Sequence, residues 1–176
     1  MSGNLNISID AMGGDCAPEM VIEGLELARQ GHPNANFLVF GDEQRIVPLL
    51  SKFPELSKCC EIRHTDEVVT NEDKVATALR GKRNSSMRLA INAVKDGEAA
   101  GIVSAGNTGA LMAMAKFVLK TLPGIDRPAI ATVLPTQKTD VVMLDLGANV
   151  DCSSENLVQF AVMGEVFARN VLGLSK

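Results

Sequence analysis

The residues best suited to chemistry sit in three glycine-rich turns. In Asp10-Ala11-Met12-Gly13-Gly14-Asp15, two carboxylates flank a double glycine. Such acids can act as a base, orient a donor or hold a metal. Equally, Asp15 can cap the next helix while Asp10 bonds local amides. In Ser104-Ala105-Gly106-Asn107-Thr108-Gly109, the glycines allow close backbone approach and Ser104, Asn107 and Thr108 add neutral donors. A helix starting there presents unpaired N–H groups and the positive end of its dipole, so a phosphate can be held without a lysine. A plain strand-to-helix turn capped by Asn107 or Thr108 also satisfies the spacing. Asp145-Leu146-Gly147-Ala148-Asn149 is a third such turn, with Asp145 and Asn149 as its polar residues. Neither the Walker lysine pattern nor a strict G-x-G-x-x-G is present.

Charge is distributed unevenly. Lys74, Arg80, Lys82, Arg83, Arg88 and Lys95 follow one another with no acid between them, in a chain of net charge −4. Such a stretch steers an anionic ligand or an acidic partner, or forms a solvated helix face. No aromatic residue interleaves the bases, which disfavours nucleic acid. The two histidines, His32 and His64, fall in a loop and at a strand end, and no Ser/His/Asp set or nucleophile elbow accompanies them. Cys16, Cys59, Cys60 and Cys152 form no C-x-x-C pair and give no zinc spacing, so four reduced thiols are expected. Cys16 lies in the first turn without a neighbouring base and reads as a passive thiol.

The elements that must position these turns alternate in type. Leu5–Ala11 has the period of a strand. Pro18 suits a helix start, Val21, Ile22, Leu25 and Ala28 follow at helical spacing, and Gly31 stops the helix. Phe37–Phe40 reads as a buried parallel strand, followed by a helix carrying Ile46, Leu49 and Leu50 with Pro48 near its first turn. Glu61–His64 is a third strand. Asn71-Glu72-Asp73 predicts a helix start. Ser85 or Ser86 caps a helix whose face is Met87, Ala90, Ile91 and Val94, ended by Gly97. A strand over Ala100–Ser104 precedes a helix with Leu111, Met112, Ala115, Leu119 and Leu122 on one face. Strands over Ala129–Leu134 and Val141–Leu144 lead to a helix from about Ser153 to Leu172, with Val158, Ala161, Val162 and Phe167 on its apolar side. This rhythm predicts an α/β fold: a mostly parallel sheet with helices on both faces, and ligands at the carboxyl ends of the strands.

Composition fits that class. The 176 residues are 46% hydrophobic and 22% charged, which excludes a disordered chain. Six Phe, with no Trp or Tyr, exclude an aromatic cage and leave an aliphatic core. The polar N-terminus shows no secretory signal, and the apolar run from Gly109 to Leu119 contains Lys116 and is 11 residues long, too short for a bilayer. A cytoplasmic protein is expected, with contact at a membrane surface left open.

Taken together, Ile9-Asp10-Ala11-Met12-Gly13-Gly14-Asp15, Asn84-Ser85-Ser86-Met87, Val103 to Leu111 and Asp145 to Asp151 resemble the bacterial phosphate acyltransferases of phospholipid synthesis, in order and along the whole chain. The resemblance implies a Rossmann-like fold similar to those of phosphotransacetylase and isopropylmalate dehydrogenase. It implies transfer of a long-chain acyl group from acyl carrier protein to inorganic phosphate, giving acyl phosphate for a downstream membrane acyltransferase. It also implies a homodimer that associates with the membrane surface, and no cofactor or metal. Carried onto this sequence, Asp10, Asn107 and Asp145 are the expected catalytic residues. Gly13, Gly14, Asp15, Lys82, Arg83, Ser85, Ser86, Ser104, Gly106, Thr108, Gly109 and Asn149 are expected to bind substrate, and the basic stretch to dock the carrier protein. Family chains are roughly twice this length, so residues 1–176 are expected to be one α/β domain or the N-terminal half of a larger catalytic domain. Cys16 departs from the family pattern, where a histidine or another residue is expected. The competing readings are a phosphotransacetylase acting on acyl-coenzyme A and a noncatalytic phosphate- or acyl-binding fragment. A nicotinamide-nucleotide domain lacks its fingerprint.

Overall fold

The computed structural model describes residues 5–147 and 151–174. The chain divides into two compact units, one ending at Leu119 and one beginning at Lys120.

The first unit is built on a four-stranded parallel sheet of order β3-β2-β1-β4, where β1 is Leu5–Asp10, β2 Ala35–Gly41, β3 Cys60–His64 and β4 Gly101–Val103. The period-2 geometry of β2 divides its continuous apolar run between two cores. Phe37 and Val39 pack with Ile22 and Leu25 of α1 (Glu19–Gly31), Ile46 and Leu50 of α2 (Glu43–Leu50) and Leu56 of α3 (Pro54–Ser57). Leu38 and Phe40 pack with Ala90 and Ala93 of α5 (Ser86–Lys95) on the other face. Both faces are thus covered, which is why the strand is apolar throughout. Each fully buried large aliphatic side chain there contributes about 1.5–3 kcal/mol. A third cluster joins Met87 and Ile91 of α5 to Ala78 of α4 (Val75–Gly81) and Ala110, Met114 and Val118 of α6 (Thr108–Leu119).

Local chemistry sets the helix ends, and in places shifts them from expectation. α1 begins after Pro18, as the spacing predicts. Asp42 accepts a hydrogen bond from Gln44 N and starts α2 at Glu43, which puts Pro48 inside the helix rather than in its first turn. Asn71-Glu72-Asp73 starts no helix. Asp73 Oδ2 instead accepts bonds from Thr70 N, Thr70 Oγ1 and Lys82 Nζ, closing a turn, and α4 begins only at Val75. The fully buried stripe of α6 is Ala110, Met114 and Val118, offset from the predicted face, of which Leu111 and Ala115 pack partly buried against the same cluster. Leu122 lies past that helix and is 77% exposed.

The second unit departs from the parallel pattern. β5 (Ala131–Pro135) and β6 (Asp140–Leu144) pair antiparallel, because the four residues between them are too few for a parallel crossover. Ser153 and Asn156 form a reciprocal cap at the start of α7 (Ser154–Val171). The buried residues of α7 are Asn156 and Phe160, while the predicted Val158 and Val162 are exposed. Gly164 faces β6 so closely that an added Cβ would lie 2.9 Å from Leu144 Cδ1.

Candidate functional site

The chain leaves β1 for β2 on one side and returns to β4 on the other. The ends of β1 and β4 therefore mark the switch point of the sheet, where such folds form a ligand crevice. Asp10 is the last residue of β1, and Ser104 directly follows β4.

Asp10 is 2% exposed and joins three elements. Ser86, at the start of α5, donates to Asp10 Oδ1 at 2.6 Å, and Ser104 donates to Asp10 Oδ2 at 2.7 Å. Met12 N adds a longer contact of 3.4 Å to Oδ1. Ser104 Oγ also accepts from Gly106 N at 3.1 Å. The first two glycine turns meet here. A Cβ on Gly13 would lie 2.6 Å from Asp10 Oδ2 and 2.9 Å from Gly106 N, while one on Gly106 would lie 3.2 Å from Gly13 Cα. These glycines thus serve the contact between the turns. Gly14 has a φ of +110°, a conformation that itself favours glycine.

Asn107 is the cap of α6. Its Oδ1 accepts from Ala110 N at 3.0 Å, and its Nδ2 donates to Thr70 O and Asp73 O at 3.2 and 3.1 Å. It therefore ties the 104–109 turn to the loop before α4. Thr108 and Gly109 open α6, and an added Cβ on Gly109 would lie 2.9 Å from Val75 Cγ2. Asp15 Oδ1 accepts from Asn71 Nδ2 at 2.9 Å across a small polar cleft of about 160 Å³ lined by Met12, Gly14 and residues 68–72. Asp15 does not cap α1, whose N-cap is Pro18.

Ser85 and Ser86, adjacent in sequence, have different partners. Ser85 caps α5, accepting from Arg88 N at 3.4 Å and donating to Lys82 O at 2.9 Å. Lys82 Nζ is bound to Val68 O at 2.6 Å and to Asp73 Oδ2 at 2.5 Å. That ion pair holds the Asp73 carboxyl below the usual carboxylate range. Arg83 is exposed.

Asp145 belongs to the second unit. It follows β6 with a φ of 62°, its N–H donates to Ile130 O at 2.7 Å, and its carboxylate accepts a bond from the Cys152 thiol at 3.4 Å. Asn149 lies outside the described residues.

Sequence reading missed the loop after β3. Thr65 Oγ1 donates to Asn84 O at 2.6 Å, and Glu67 Oε2 accepts from Asn84 N at 2.7 Å, fixing the approach to Ser86. Its available signal was position: polar residues directly past the carboxyl end of a predicted strand.

An apolar groove of about 510 Å³ runs beside the switch point, between α1 and the β1 and β4 edge of the sheet. Ile7, Ile9, Val21, Leu25 and Val103 line it, and Asp10 and Ser104 also border it. Among the described residues, no three His, Cys, Asp or Glu side chains are grouped to hold a metal ion, and no helix is long and apolar enough to cross a membrane.

The family profile described as "Fatty acid synthesis protein" matches residues 5–176. A protein named phosphate acyltransferase from Paramagnetospirillum magneticum is 63% identical over 176 residues, which is 100% of this chain and 50% of that relative. Its namesake from Rhodospirillum centenum is 62% identical over 174 residues, covering 99% of this chain and 49% of the relative. One from Gluconobacter oxydans is 51% identical over 173 residues, covering 98% and 47%. The chain thus spans about half the length of the curated relatives it matches.

Proposed function

The chain belongs to the family described as Fatty acid synthesis protein, and from that membership we propose that it forms the N-terminal half of an enzyme transferring a long-chain acyl group from acyl carrier protein to inorganic phosphate. The observation that carries this reading is chain-long identity of 51–63% to proteins named phosphate acyltransferase.

The chemistry asks little of the side chains. A phosphate oxygen attacks the thioester carbonyl, a C–O bond forms, the C–S bond breaks, and the carrier thiolate leaves and takes up a proton. Phosphate is already anionic at neutral pH and a thiolate is a stable leaving group, so no enzyme nucleophile is needed. Holding phosphate against the thioester and stabilising the developing oxyanion then provide the catalysis. The N–H groups of Thr108 and Gly109, in the first turn of α6, receive phosphate in this reading. In this reading Asp10 is a positioning residue: Ser86 and Ser104 donate to its two oxygens and so hold the turn. Asn107 likewise positions α6. Asp145 and Asn149 are proposed to act in the same reaction, as the family resemblance implies.

The test is incubation of this chain with long-chain acyl carrier protein and phosphate, with acyl phosphate read by mass spectrometry and the full-length Paramagnetospirillum relative run in parallel. Phosphate-dependent product from the chain supports the reading and makes the N-terminal half sufficient. Product from the relative alone places part of the site in the half of the relative that this chain does not match. No product from either, or a preference for short acyl-coenzyme A, overturns it.

A further inference from the structure

The bases between Lys74 and Lys95 do not form one uniform patch. Lys82 is neutralised by Asp73 at 2.5 Å. Arg88 is half-buried, bonds Asn92 Oδ1 at 3.3 Å, and lies 5.5 Å from the centre of the Phe117 ring. Lys95 closes the last turn of α5, where a cation meets the negative helix end. Lys74, Arg80 and Arg83 remain. All three are exposed, and none forms an ion pair among the described residues. They bracket one helix: Lys74 is the N-cap of α4, Arg80 lies in its last turn, and Arg83 follows its end. No acid lies among them in sequence. The Arg88 guanidinium is held below its usual value by burial and then by the Arg83 charge.

This helix borders the switch-point turn. Asn107 Nδ2 bonds the carbonyl of Asp73, the residue before Lys74, and Gly109 stands against Val75. Val75, Ala76 and Thr77, in the first turn of α4, are exposed and uncharged.

We propose that the basic surface around α4, with Lys74 at its N-cap, Arg80 in its last turn and Arg83 past its end, is the docking surface for an acidic protein, the acyl-bearing carrier of the proposed reaction. The inference rests on that reading for the partner's identity and on charge complementarity for the place. A lipid surface fits less well, because the chain has no Trp or Tyr and α4 exposes only Val75 as a large apolar side chain. A carrier seated here would bring its thioester arm to the turn that Asn107 ties to the loop before α4.

The experiment measures binding of fluorescently labelled acyl carrier protein by anisotropy at low and high salt. The triple reversal Lys74→Glu, Arg80→Glu and Arg83→Glu is compared with Arg45→Glu, Lys52→Glu and Lys58→Glu, which makes the same charge change on α2, the turn after it and the residue that ends α3. The charge-removing Lys74→Gln, Arg80→Gln and Arg83→Gln chain is the second variant, with far-UV circular dichroism confirming that each chain folds. The expected result is affinity weakened at least about tenfold by the first set, less by the glutamines and under about twofold by the control, with wild-type binding falling as salt rises. Equal losses in both reversals, no loss in the first, or no binding by the wild type overturns the proposal. So does binding through these residues to anionic phospholipid vesicles and not to the carrier. Because the readout is binding, docking without turnover would count against the proposed reaction only, and turnover unaffected by the reversal against the docking face only.

Discussion

Asp10 is legible in the sequence as a position but not as a set of partners. Its place at a strand end next to a double glycine marked it from sequence, but its role depends on two serines 76 and 94 residues away. Ser86→Ala removes a donor from a buried carboxylate and is expected to cost about 1–3 kcal/mol, read as a lower urea midpoint with unchanged slope. Asp10→Asn keeps the shape but places an amide donor against the two hydroxyls. If Asp10 positions the phosphate turn, kcat/KM in the acyl phosphate assay should fall by roughly 10²-fold, with KM for phosphate carrying most of the change. An equal fall in stability with KM unchanged would make the role purely structural. The thiols give a second residue-scale prediction. Burial, reinforced by neighbouring Cys59, pushes the Cys60 thiol up to about 12. Only the thiolate reacts, so at pH 8 a disulfide reagent should label exposed Cys16 and leave Cys60 unmodified until denaturant is added. Early labelling of Cys60 would contradict its burial.

Caps and ion pairs act at the scale of the element. Asn107 caps α6 and holds the loop before α4 through one side chain. Asn107→Ala is expected to cost about 1 kcal/mol or more, and to speed amide exchange at Ala110 and through residues 70–73 together. Exchange confined to the first turn of α6 would break that coupling. In α1, Glu26 accepts bonds from Arg29 and Gln30, which hold its carboxyl at about 2, below the ordinary 4.5. A folded-state value below the unfolded one means stability present above about pH 4.5 and lost as pH falls through about 2. The stability gap between wild type and Glu26→Gln should therefore close across that window in acid titrations followed by circular dichroism, and a pH-independent gap would refute it. Helix existence was mostly legible because apolar spacing encodes it. The misplaced faces of α6 and α7 were not, since both helices are apolar on more than one side and packing chose among the sides.

For the molecule as a whole, the first unit combines a both-faces-covered sheet with an open apolar groove of about 510 Å³ at the β1 and β4 edge. An apolar dye such as anilinonaphthalene sulfonate should fluoresce with the folded chain. Gly24 lines this groove, and an added Cβ there meets nothing within 4 Å, so Gly24→Leu should fold normally, gain helix propensity and dim the dye. Unchanged dye binding would place it elsewhere. The sequence by itself determined the α/β class, the parallel core strands and the two turns that meet at the switch point, because strand period, apolar runs and glycine punctuation are local properties of the chain. It did not determine the hairpin of the second unit, the separate tasks of Ser85 and Ser86, or which cations of the basic stretch stay unpaired. Those depend on partners far along the chain, such as Asp10 for Ser86 and Val68 for Lys82. Only the tertiary structure could decide them, because a hydrogen bond or an ion pair depends on distance in space and not on spacing in sequence.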